Sequence, residues 1–200
     1  MIERLLELLL PLACPGCGAP GEPVCSRCAA SMRVAPSAAP PLGVDQWIAP
    51  FAYEGVAREV VARVKYRGAH AATGWLAARM VALVGPPVPP VVTWAPTTTT
   101  RRRDRGFDHA ELLARRVGGL VHRPTRGLLV RHPGAPQTGR PATERRVGPA
   151  FTAHGHVPSS VLVVDDVATT GATASAAAAS LRARGATRVV VLTAARTPGR

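Results

Sequence analysis

Three features of the sequence predict an α/β fold, an open, mostly parallel sheet with flanking helices, preceded by a small cysteine-bearing unit. Short β-branched runs such as Val161–Val164 and Val189–Leu192 recur along the chain. Segments with apolar residues at helical spacing separate them, and strands that alternate with helices pair in parallel. All four cysteines crowd between Cys14 and Cys28 at the amino end.

The elements follow in order. Gln46 to Tyr53 is aromatic and loosely alternating, as a strand is. Val56, Val60, Val61 and Val64 fall on one helix face and lead into Lys65-Tyr66-Arg67-Gly68. A second helix is expected from Ala71 to Val84, stopped by Gly85-Pro86-Pro87. Val91–Ala95 reads as a short buried strand ending at Pro96. A polar, basic loop and a helix from about Asp108 to Gly118 come next, then a weak strand near Gly127–Val130. Arg131 to Gly148 is polar, rich in Gly, Pro and Arg, and has no apolar period. Val161–Val164 is a fully apolar strand, Gly171–Arg184 an Ala-rich helix closed by Gly185, and Val189–Leu192 a last strand. The resulting organisation is residues 1–33 as helix and cysteine unit, 34–43 as a Pro-rich linker, and 44–200 as the α/β domain.

Composition narrows the function classes. The chain has 200 residues, 46% hydrophobic and 18% charged, enough for about one 150-residue domain and an appendage. No run of about 18 apolar residues occurs, which excludes a membrane-spanning helix. The bases are 24 Arg and one Lys, Lys65, against 12 acids, for a net charge of +13. Val64 precedes Lys65, so a G-x-x-x-x-G-K-[ST] phosphate loop is excluded. Schiff-base chemistry would have to use that same lysine.

The amino terminus imitates an export signal. Glu3 cancels Arg4, Glu7 interrupts the apolar run, and Pro11 sits where cleavage would occur. Ile2, Leu5, Leu6, Leu9 and Leu10 instead share one face of a short amphipathic helix. A packing helix and a cytoplasmic location are therefore expected.

Cys14-Pro-Gly-Cys17 and Cys25-Ser-Arg-Cys28 are two C-x-x-C turns seven residues apart. Such turns each offer two sulfurs, and together they complete a tetrahedral four-cysteine site for structural zinc. A disulfide is disfavoured in a reducing compartment. Gly16-Cys-Gly-Ala-Pro-Gly21 satisfies G-x-G-x-x-G, but no strand precedes it and a metal ligand sits inside it, so dinucleotide binding is dismissed.

The segment Val161–Thr173 (V-L-V-V-D-D-V-A-T-T-G-A-T) carries the chemistry. A buried strand delivers Asp165 and Asp166. The amides of Ala168 to Thr173 and the hydroxyls of Thr169, Thr170 and Thr173 then surround a helix amino terminus, a ready anion site. Gly171 lets the backbone approach a phosphate closely. A phosphate beside two carboxylates suits a sugar phosphate, whose vicinal hydroxyls the carboxylates accept directly or through a magnesium shell. A Walker-B strand is removed by the missing phosphate loop. A receiver-type acidic pocket lacks its further strand-end Asp and catalytic Lys. A capped strand–helix corner without a ligand is the plain alternative.

Val161–Thr173 resembles the phosphoribosyl-pyrophosphate (PRPP) motif of type I phosphoribosyltransferases, with Ala168 small where a larger aliphatic residue is usual. The four-cysteine unit, Tyr53-Glu54-Gly55, Lys65-Tyr66-Arg67-Gly68, Arg105-Gly106-Phe107, Gln137-Thr138-Gly139 and Glu144-Arg145-Arg146 before Phe151 narrow the resemblance to the ComF family, competence-protein-F-like chains with a zinc ribbon on a phosphoribosyltransferase domain. The resemblance implies that Asp165 and Asp166, the catalytic candidates, meet the ribose hydroxyls and that Thr169–Thr173 cradle the 5-phosphate. It places Ala95-Pro96-Thr97-Thr98 in the pyrophosphate loop, Lys65 and Arg67 beside the same cleft, and Arg131–Gly148 in a mobile flap. The chain departs from the family with Ala95-Pro96-Thr97 and with Asp108-His109, where Asn-Gln is common.

Between Arg101 and Arg146 stand 12 Arg and four acids. Arg101, Arg102, Arg103 and Arg105 flank the pyrophosphate loop, and Arg140, Arg145 and Arg146 lie on the flap. Polyphosphate or single-stranded DNA would be drawn there, and a solvated basic face is the plain alternative. With aromatics at 4% no base-stacking platform is evident. The resemblance implies PRPP–magnesium binding and a part in DNA uptake or single-stranded DNA handling in natural competence, alongside the competence machinery. An active phosphoribosyltransferase acting on an unidentified base or amine, and a zinc-ribbon nucleic-acid binder with a vestigial site, are the rivals.

Overall fold

The computed structural model describes residues 12–64, 70–98, 106–132 and 149–198. The expected amphipathic helix on Ile2–Leu10 lies outside them. Among the described residues are helices α1 (Ser26–Ser31), α2 (Gly55–Val64), α3 (His70–Val81), α4 (His109–Leu120) and α5 (Ala172–Arg182). The strands are β1 (Gln46–Ile48), β2 (Phe51–Ala52), β3 (Val92–Trp94), β4 (Leu129–Arg131), β5 (Phe151–Ala153), β6 (Ser160–Ala168) and β7 (Arg188–Arg196). The main sheet runs β1-β7-β6-β3, with β2 also on β7, and every pairing in it is parallel. The chain is thus α/β with a mostly parallel sheet.

Period-two alternation divides the core. Leu162 and Val164 of β6 and Val190 and Leu192 of β7 face a layer built by α2, α3 and α4. Val161 and Val163, with Val189 and Val191, face α5 and the β4–β5 pair. Both strands are buried on both faces, which is why they read as unbroken apolar runs. The alanines of α5 (Ala174, Ala177, Ala178) let that helix lie close on the sheet. The cysteine unit is not a separate bead. Cys14, Val24, Cys28 and Met32 are buried in the same cluster as Ala57, Val60 and Val61 of α2.

Four local differences from the sequence reading have physical causes. The strand expected at 46–53 is two pieces, broken at Ala49-Pro50, because Pro50 has no N–H to continue the ladder. The α3 helix ends at Val81, and residues 82–84 close it as a turn (Leu83 N–H to Met80 O, 3.2 Å). Phe151–Ala153 forms an antiparallel strand with β4, although three residues show too little alternation to read. The β6 strand does not stop at Val164. Pairing with β7 carries it on through Ala168, opposite Arg196, so the acidic pair sits inside a strand rather than after one.

Candidate functional site

The cleft begins where β3 ends. Trp94 is the last residue of β3 to pair with β6, and the Ala95 N–H reaches the Val164 carbonyl at 3.0 Å. Pro96 then has no donor, and the chain peels away. From Asp165 onward β6 is paired only on its β7 side, and a cleft of about 210 Å³ opens beside it. Asp165 and Asp166 line it together with Thr97, Asp108, His109, Arg131 and Thr173. Both aspartates are half-buried, and an Asp165 oxygen accepts the Asp166 N–H at 2.8 Å.

A smaller chamber of about 30 Å³ continues under the turn that joins β6 to α5. Ala168, Thr169, Gly171, Ala172 and Thr173 form its wall, with Asp165 at the junction of the two spaces. Gly171 takes the left-handed conformation (φ 79°) as residue preceding α5, and among the described residues no side chain caps that helix. The Thr170 hydroxyl approaches, accepting from the Ala172 N–H at a long 3.4 Å. Thr193 lies opposite Asp165 on β7 and lines this chamber. Its hydroxyl is buried with no hydrogen-bond partner among the described residues, and the space is large enough for a water or a small ligand group that would supply one.

Across the cleft Asp108 holds two elements at once. One carboxylate oxygen caps α4 by accepting the Ala110 N–H at 3.1 Å, and the other accepts the Thr97 N–H at 2.9 Å, fastening the loop after β3. Burial pushes this carboxyl above its ordinary range, and N–H donors from Thr97, Glu111 and Ala110 pull the other way. His109 is buried beside it. Arg131 enters from β4, its guanidinium over the Phe151 ring at 5.7 Å and within 3.4 Å of the Pro96 carbonyl.

Of the residues singled out for PRPP, Asp165, Asp166, Ala168, Thr169, Gly171, Ala172, Thr173 and Thr97 line these two adjoining spaces. Thr170 and Pro96 contribute the contacts just given. Lys65, Arg67, Arg101, Arg102, Arg103, Arg105, Arg140, Arg145 and Arg146 lie outside the described residues. So does most of the expected flap, whose base is closed by the His132 N–H on the Ala150 carbonyl at 2.9 Å. Sequence reasoning used Arg131 only as the first residue of the flap, assigned no role to Thr193, and read Asp108 as a helix start and Asp108-His109 as a departure from a pattern. The signal for Asp108 was available, since an Asp just before a helical period is a cap.

The four cysteine sulfurs all lie within 4.8 Å of one another, and Cys17 and Cys25 are 3.6 Å apart. Sulfurs around a tetrahedral zinc at about 2.3 Å are separated by roughly 3.8 Å. The four residues could therefore hold one metal ion. Burial raises the Cys14 thiol, but backbone N–H donors of Cys25, Cys17 and Gly16 outweigh it and bring it down to about 6. Burial, then the neighbouring sulfurs, push Cys28 up to about 12. Gly16 is required here, because a Cβ would stand 2.8 Å from the Cys28 sulfur and 3.0 Å from Val56 of α2.

No protein-family model matches the chain, and no curated protein matches it. Among solved structures it is similar to an allosteric regulatory enzyme of purine biosynthesis, with 23% identity, 68% of this chain and 30% of that chain covered, and a TM-score of 0.48. It is similar to the glutamine phosphoribosylpyrophosphate amidotransferase of B. subtilis, with 23% identity, coverage of 66% and 30%, and a TM-score of 0.45. It is also similar to the purine phosphoribosyltransferase of Pyrococcus horikoshii, with 16% identity, coverage of 72% and 75%, and a TM-score of 0.37. The chain spans 30% of the length of the first two.

Proposed function

We propose that this chain binds PRPP with magnesium at the carboxyl edge of its sheet, as a ComF-like phosphoribosyltransferase-domain protein of the cytoplasm. One observation carries the reading. A carboxylate pair and an uncapped, glycine-bearing helix turn line two spaces that meet at Asp165. A sugar phosphate has vicinal hydroxyls at one end and a phosphate at the other, matching those two kinds of lining. Asp165 and Asp166 would hold the magnesium, directly or through its waters, and the ion would neutralise charge on the diphosphate. The turn Thr169–Thr173 would take the 5-phosphate, and Thr97 marks the loop that would meet the pyrophosphate. In this reading residues 1–33 form a zinc-bearing unit, 34–43 a connection, and 44–200 the ligand-binding domain.

The cleft continues beyond the acidic pair to Asp108, His109 and Arg131. That room favours a second reactant, and so an active transferase, over a vestigial site. The transfer would displace pyrophosphate through an oxocarbenium-like transition state, helped by charge already in place. A role in DNA uptake or single-stranded DNA handling belongs to the same proposal through the ComF resemblance and the arginines between 101 and 146.

Calorimetric titration of PRPP with magnesium into zinc-loaded protein tests the reading. Micromolar binding supports it, and none in folded protein overturns it. Zinc itself is tested by metal analysis of wild type and Cys25→Ser. One zinc per chain, lost in the variant together with amide protection in residues 14–32, is the expected result. A metal-free wild type with those amides protected would refute the four-cysteine zinc assignment.

A further inference from the structure

The last residue of β7 is a buried cation with no carboxylate partner among the described residues. Arg196 is 5% exposed. Its guanidinium donates to the Trp47 carbonyl at 3.2 Å and to the Pro36 carbonyl, and lies 4.7 Å from the centre of the Trp47 ring. Its Nε, like the Trp47 indole N–H, is buried without a partner among the described residues. Two carbonyls and a ring face offset part of the desolvation of a guanidinium, not its charge.

The position of that charge is informative. Arg196 pairs in register with Ala168, the last residue of β6 before the Thr169–Gly171 turn, and the next residue ties the same corner through the Thr197 N–H on the Ala168 carbonyl at 2.8 Å. The same Trp47 ring abuts Gly171 through its six-membered edge. A Cβ built on Gly171 would stand 3.6 Å from that ring and 2.9 Å from Pro41. The indole therefore touches both the guanidinium and the glycine turn, and the Pro-rich segment closes the same corner at Pro36 and Pro41.

We propose that Arg196 and Trp47 are positioning residues for an anion at the Thr169–Thr173 turn. Trp47 and Pro41 hold Gly171 in its left-handed conformation, and Arg196 sets a fixed positive charge against the same indole, behind the turn. The inference deepens the sugar-phosphate reading and rests on the turn being an anion cradle. It also gives the 34–43 segment a task, as the outer wall of that cradle. The anion class is a phosphomonoester or free phosphate, since the chamber takes a small tetrahedral group more readily than an extended chain.

The test uses the full zinc-loaded chain carrying Trp75→Phe and Trp94→Phe, which leaves Trp47 as the sole indole. Ribose 5-phosphate, inorganic phosphate and PRPP with magnesium are titrated while Trp47 emission is followed. Saturable emission changes are expected with each. Arg196→Met should weaken inorganic phosphate and ribose 5-phosphate alike, by on the order of ten-fold for one unit charge acting through a partly screened interior. Arg196→Lys should recover most of that loss, which a purely packing role would not predict. Should Arg196→Met fail to fold, the lysine variant and Trp47→Phe decide, the latter made in the otherwise unaltered chain and titrated by calorimetry, where it should weaken both ligands without changing their salt dependence. Phosphate affinity unchanged in folded Arg196→Met, or no affinity in wild type for any of the three, overturns the inference. Phosphate binding that responds to Arg196, with no added affinity for PRPP, sustains it and removes the proposed function instead.

Discussion

Two helices begin at the carboxyl edge of the same sheet, and their first turns are treated in opposite ways. At α4 a buried aspartate, Asp108, caps the Ala110 N–H and reaches on to Thr97. At α5 a glycine precedes the helix and, among the described residues, no side chain caps it and the threonine hydroxyl in the chamber below has no partner. Helix amino termini have the same four orphan donors wherever they occur. A terminus satisfied from within serves the architecture. One left open beside a polar cavity, next to two carboxylates, is a place for something else to bind.

The largest expected effect separates the two termini by function. Replacing both Asp165 and Asp166 with Asn should abolish PRPP–magnesium binding in a titration and leave the thermal midpoint nearly unchanged, since among the described residues neither aspartate caps a helix. A fall in midpoint of many degrees would move the pair from ligand to framework. Next comes Gly171→Ala. A left-handed alanine costs about 1–2 kcal/mol, and its methyl would meet Pro41 at 2.9 Å. Phosphate affinity and stability should both drop, and a variant that keeps wild-type affinity would show the turn to be no cradle.

Asp108 gives the smallest and most selective change. Asp108→Ala removes a helix cap worth about 1 kcal/mol, or roughly 2–4 °C in the midpoint for a chain of this size. Asp108→Asn should keep the Ala110 bond and turn an N–H against Thr97, so hydrogen exchange at Thr97 should rise while Ala110 stays protected. The pH dependence has a definite sign. Burial raises this carboxyl in the folded chain above its ordinary 3.8, so the native state binds the proton more tightly than the unfolded one. Wild type should therefore lose stability relative to Asp108→Asn as pH rises from about 3.8 through the folded value. Parallel stability curves for the two proteins would refute the raised carboxyl.

Much of this molecule was legible in one dimension. The C-x-x-C spacing brings sulfurs together because each turn is local, and the 14–28 segment is short enough to close on itself. Apolar runs foretold β6 and β7, and the D-D-V-A-T-T-G-A-T order placed the acidic pair and the glycine turn beside each other, since consecutive residues cannot be far apart. What the tertiary structure alone decided depends on partners distant in the chain. The strand continues through Asp165 and Asp166 because β7 pairs with it, and the cleft exists because β3, some seventy residues earlier, runs into a proline. Asp108 meets Thr97 across a loop, and Arg196 meets Trp47 across 149 positions. Periodicity records which residues turn inward. It does not record which inward-facing groups will touch, because that is set by how whole strands and helices stack once their apolar faces have been removed from water.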